Sequence, residues 1–198
     1  MKKQVMNFLS MALMALVLFS CGGGSGKKGS GGKSLFTPVS SGHPYEMLVV
    51  IDKDMWERPA GRALFDVLDS DVPGLPQPER SFRISQIIPS KFDRGFRIFR
   101  NIIDVDIQPI YTQPKLKYSR DSYASPQMIM TIQAPDEQSF EEFVAKNRQV
   151  IVDFFTKAEM NRQINVLKEK FSPVVAAKVG SIFGCDVRIP AELERYKE

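Results

Sequence analysis

The sequence predicts an α+β domain: a largely antiparallel sheet of four to five strands with helices on one face, close to a ferredoxin-like βαββαβ arrangement. Three observations predict it. Apolar runs bounded by Pro, Gly and Asp recur in the order strand, helix, strand, strand, strand, helix, helix, strand. Asn101, Ile103, Val105 and Ile107 alternate with Ile102, Asp104, Asp106 and Gln108, the period of a strand with one wet face. A long stretch after Asp136 repeats its apolar residues at helical spacing.

The elements follow in order. "EMLVVI", Glu46 to Ile51, is an apolar run between Pro44 and Asp52 and reads as the first strand. Trp56, Leu64, Val67 and Leu68 then predict a helix, with Pro59 and Gly61 confined to its first turn or before it, and "VPGLPQPE" ends it. The second strand is predicted over 81–88, the third over 96–109 and the fourth over 127–133. "YTQPKLKYSRDSYASP" between the last two is polar, carries two prolines, and reads as a connection.

Asp136 is a plausible N-cap, with Glu141 and Glu142 near the positive helix end. Phe140, Phe143, Val144, Val150, Ile151, Phe154 and Phe155 form one stripe. Unbroken to Phe171, this helix would be about 52 Å long at 1.5 Å per residue, so its end must project, bend or pack on something else. A short helix over 174–183, stopped by Gly184, and a closing strand "CDVRIP" complete the plan. Cys185 is expected there as a small buried hydrophobe.

Upstream of the domain the chain states an address. Lys2 and Lys3 precede an apolar run, Phe8 to Phe19, interrupted only by Ser10, which is the pattern of a secretory signal. It ends in Leu18-Phe19-Ser20-Cys21, which resembles a bacterial lipobox, with cleavage at Cys21 and lipid attachment to its thiol. More than one acyl chain meets the requirement for stable anchoring. Residues 22–34 hold only Gly, Ser and Lys, a tether spanning roughly 20 Å by Gly-rich scaling. The expected organisation is therefore signal peptide 1–20, lipidated Cys21 and tether 21–34, and one domain over 35–198.

Charge belongs to this leader. The formal charge is +4, and discounting Lys2, Lys3, Lys27, Lys28 and Lys33 leaves the domain near −1. That excludes a concentrated basic field, and no nucleic-acid partner is expected. The best local candidate, Arg94, Arg97 and Arg100 interleaved with Phe92, Phe96 and Phe99, reads as a strand with one exposed face.

The domain's segments "SSGHPYEMLVVID", "LPQPERSFRISQI", "FRNIIDVDI" and "YASPQMIMTIQAPDEQSFEEFVAKN", taken with the lipobox and "VRIP", resemble the uncharacterised Bacteroidota lipoproteins of domain-of-unknown-function family 4837. The resemblance implies that the chain is the N-terminal part of a longer protein, and it brings no activity. With Lys27 and Lys28 after the anchor and no Asp at Gly22, it implies an outer-membrane lipid anchor facing the periplasm.

Chemistry is sparse. His43 is the single histidine, so a Ser/His or Cys/His relay has one candidate base, and HExxH, CxxC and G-x-S-x-G motifs are absent. No catalytic residue, cofactor or metal is expected. Asp104 and Asp106, two apart in a strand and about 7 Å from each other on one side, are weak candidates for a hard cation or acid/base work. Gln77, Glu79, Arg100, Asn101 and Gln127, at strand starts and turns, are the candidate cleft. A non-enzymatic envelope lipoprotein binding a protein or cell-wall partner is the leading expectation. The alternative is a hydrolase, metal-dependent or acid/base, using Asp104, Asp106 or Glu79.

Overall fold

A computed structural model describes residues 37–191; the predicted signal peptide, Cys21 and tether lie outside the described residues. Five strands form one mixed sheet: β1 Glu46–Val50, β2 Arg83–Ile87, β3 Asn101–Ile107, β4 Lys115–Arg120 and β5 Met128–Ala134. Their spatial order is β2-β1-β3-β5-β4. Mixed α and β structure is thus present, but the expected antiparallel, ferredoxin-like pairing is not. β1 pairs with β2 and β3 in parallel, and β3 pairs with β5 in parallel; only β4 with β5 is antiparallel.

The reason is visible in β1. Met47, Leu48, Val49 and Val50 are all buried, on both faces, as parallel strands covered on two sides require. Parallel neighbours need long crossovers, and the chain supplies them. Between β1 and β2 run α1 Lys53–Glu57 and α2 Pro59–Leu68. Pro59 takes the first position of α2, where its missing N–H costs nothing. Between β2 and β3 lie the 3₁₀ turn Pro89–Lys91 and α3 Arg94–Arg97, so strand three starts five residues later than expected.

β4 occupies the segment predicted to be a polar connection. It is an edge strand, and Lys115, Lys117, Tyr118, Ser119 and Arg120 are exposed, so neither face shows an apolar period. Its role is to carry the chain back so that β5 can enter the sheet parallel to β3.

The expected single long helix is two. α4 Glu137–Lys146 is capped by the Asp136 carboxylate, which accepts from Ser139 N at 2.7 Å. α5 Arg148–Glu169 follows after Asn147, whose side-chain amide donates to Phe143 O at 2.8 Å and competes with the helix ladder. α5 is about 33 Å long at 1.5 Å per residue. α6 Pro173–Phe183 ends at Gly184 in the left-handed conformation, φ 65°.

The main core lies between α2, α4, α5 and one sheet face, and includes Met47, Val49, Leu64, Ile103, Met130, Ile132, Phe140, Ile151 and Phe155. The opposite face carries a smaller cluster of Leu48, Val50, Ile87, Ile102 and Ile129, flanked by Phe92 and Phe99. No closing strand forms over "CDVRIP": the segment makes a single bridge, Phe171 with Pro190. Without a strand to bury it, Cys185 is exposed.

Candidate functional site

The sequence-predicted polar residues separate into three places. Arg100 and Asn101 stand at the start of β3, and α5 brings Glu159 against them. Ile151, Phe155 and Glu159 recur every four residues on the buried row of α5, so the carboxylate follows two apolar side chains inward. Glu159 is fully buried, and a buried carboxylate needs partners. Arg100 Nη2 donates to Glu159 Oε2 at 2.8 Å, and Arg162 Nη1 donates to Oε1 at 2.6 Å. Asn101 Nδ2 donates to Oε1 at 2.7 Å and also to Glu46 O. Arg162 donates in turn to Asn101 Oδ1 and to Arg100 O. Burial pulls the Arg162 pKa below its ordinary value, against the Glu159 charge that favours the cation and with the Arg100 charge that opposes it.

Gln127, buried at the entry to β5, donates to the backbone oxygens of Arg97 at 2.6 Å and Phe99 at 2.7 Å. Its own oxygen accepts from Tyr123 N. It braces the turn before β5 against the segment leading into β3. Gln77 and Glu79 lie elsewhere, on an exposed loop closed by the Asp71–Arg80 bridge. The structure therefore gathers Arg100 and Asn101 around Glu159, sets Gln127 on the adjoining backbone, and leaves Gln77 and Glu79 apart. Glu159 and Arg162 were missed by sequence reasoning, although a carboxylate continuing the Ile151–Phe155 row was a readable signal.

Asp104 and Asp106 project from β3 on the face opposite the main core. Asp104 is partly buried, and burial first, then the Asp106 charge, raises its pKa above the ordinary carboxylate value. For Asp106 burial acts upward too, but hydrogen bonds from Tyr111, Gln133 and Gln108 and the Lys117 charge outweigh it and hold the carboxyl low. Gln108 Nε2 lies 2.6 Å from Oδ1, while Gln133 Nε2, at 2.7 Å, and the Tyr111 hydroxyl reach Oδ2. Three donors already occupy the oxygens a cation would need. Among the described residues, no group of three His, Cys, Asp or Glu side chains is placed to hold a metal ion. His43 is exposed in the turn before β1, where its backbone N–H donates to Glu46 Oε2.

The end of the chain departs from the core. Beyond Glu159 no described residue is buried, and Met160, Ile164, Val166, Val174, Ile182 and Phe183 are exposed. Among the described residues, no helix is long and apolar enough to cross a membrane.

A family model described as a domain of unknown function (DUF8532) matches residues 40–168, which takes in every strand and all but the last residue of α5. This corrects the resemblance to family 4837: the family that matches is a different one. No curated protein and no solved structure matches the chain.

Proposed function

We propose that this chain, which belongs to the DUF8532 family, is a non-enzymatic envelope lipoprotein, held by lipid on Cys21 at the periplasmic face of the outer membrane, whose domain binds an envelope protein or cell-wall partner. The observation that carries the reading is the projecting end of α5. Past Arg162, whose guanidinium is tied to Arg100 O, no residue of the helix is buried; Met160 and Ile164 on one side and Val166 on the other stand in solvent, apolar surface with no role in the domain's own stability. The polar groups at the start of β3 support it by being spent on structure: Arg100 Nη2 and Asn101 Nδ2 donate to Glu159 and Gln127 Nε2 donates to backbone, while Arg100 Nε is buried with no partner.

Two measurements test it. Labelled palmitate is incorporated by the full chain and lost in Cys21→Ser. A photo-crosslinker at Ile164 captures a protein or glycan adduct in intact envelopes, whereas one at exposed Lys53 does not. Equal capture at both positions, or none at either, overturns the binding surface.

A second reading rests on the opposite displacement of Asp104 and Asp106, the arrangement that separates an acid from a base. It makes the chain an acid/base hydrolase. Turnover of an ester or glycoside that falls about a hundredfold in Asp104→Asn, with folding retained, would support it. Turnover unchanged by that substitution removes it.

A further inference from the structure

We infer that α6 is a second, lipid-independent membrane contact, seating in the interface of an anionic bilayer. This rests on the reading that Cys21 holds the chain at a membrane, but it concerns a separate element of the fold.

The argument begins with what α6 lacks. From Phe171 to Cys185 the segment "FSPVVAAKVGSIFGC" has one charged residue, Lys178, and no acid. No residue of the helix is buried, and Val174, Ile182 and Phe183 are 76, 60 and 73% exposed. At 100° per residue Ala176, Ala177, Gly180 and Ser181 make up its small side. The returning segment lies along that side, where a Cβ on Gly180 would stand 3.6 Å from Cys185 O. The remaining arc is Val174, Val175, Val179, Ile182 and Phe183, interrupted by Lys178 alone. A soluble helix normally keeps a charged face for water; this one has none.

Charge selects the occupant. Lys168, Lys170, Lys178 and Arg188 outnumber Glu169 and Asp186 between residues 168 and 190, and all four basic residues are exposed. Arg188 lies with its guanidinium 5.2 Å from the Phe171 ring, at the base of the helix. Apolar side chains on a short helix, with Lys168, Lys170 and Arg188 beyond its ends and Lys178 long enough to snorkel out of the apolar arc, suit an anionic headgroup layer, into which the apolar side enters while the cations meet phosphate. A protein groove would be expected to demand a narrower apolar stripe with polar flanks.

The test uses residues 22–198, the chain without signal peptide or lipidated cysteine, because every buried residue of the core lies between Met47 and Glu159. It should co-sediment with phosphatidylcholine vesicles containing phosphatidylglycerol, less with phosphatidylcholine alone, and less as salt rises. The double variant Ile182→Glu, Phe183→Glu should bind about tenfold more weakly or worse, with an unchanged thermal unfolding curve. Absence of vesicle binding by the parent, or equal binding by the double variant, overturns the inference. So does concentration-dependent self-association that the double variant abolishes, since a second copy would then occupy α6. Failure of the Cys21 anchor would appear in palmitate labelling and would leave the vesicle result unmoved.

Discussion

Glu159 is the residue on which the join between α5 and the sheet depends. It is fully buried between Arg100 and Arg162, themselves 16% and 10% exposed, so its removal strands two guanidinium groups in the interior. Glu159→Leu should cost about 3–5 kcal/mol in urea unfolding. Combining it with Arg100→Met and Arg162→Met should restore most of that loss, because apolar groups of similar volume need no counter-charge. Asp104 acts with the opposite sign. Its raised pKa means the native state holds a proton that the unfolded chain has released, so stability falls as pH rises from the ordinary aspartate value, about 3.9, through the higher native one. Asp104→Asn should leave stability unchanged near pH 3, about a unit below that ordinary value, and increase it at neutral pH, read as unfolding midpoints across that range.

Among the elements, the join of α1 and α2 is the tightest. A Cβ on Gly61 would lie 2.3 Å from Met55 O and 2.5 Å from Trp56 Cα, backbone atoms that cannot swing aside. Gly61→Ala should therefore destabilise by about 2 kcal/mol or more in chemical unfolding, although alanine is the better helix former. How much of this was legible in the sequence differs by element. β1, α2, β2, β5 and the start of α4 announced themselves through long apolar periods and a cap at Asp136. β4 did not, because an edge strand such as "KLKYSR" buries almost nothing and carries no alternation to read. Parallel pairing was half visible: the uninterrupted burial of Met47 to Ile51 is its mark, but no local period states strand direction. Arg100 and Asn101 stand out by their place beside a strand, and Glu159 by its place on the Ile151–Phe155 row, but their meeting across 58 to 62 residues, with Arg162 joining them, is a long-range contact that no local spacing states.

For the whole molecule, stability and exposed surface are divided along the chain. The core ends at Glu159, and the matched family region ends at residue 168. Ending the chain after Lys168 should move the unfolding free energy by less than about 0.5 kcal/mol, since no residue beyond it is buried among those described. Vesicle binding should disappear in the same truncation, which separates the two properties in one molecule.

The strand order also dictates a sequence of events. β5, the last strand made, sits between β3 and β4, and until residue 134 is available the inner edge of β3 has no neighbour on that side. The local β4–β5 hairpin, with its short loop, is the unit able to close first, and it must dock as a pair. Made from its N-terminus, the chain therefore leaves this apolar β-edge unpaired until residue 134 has emerged, and a holding chaperone should bind it up to that length and release it beyond.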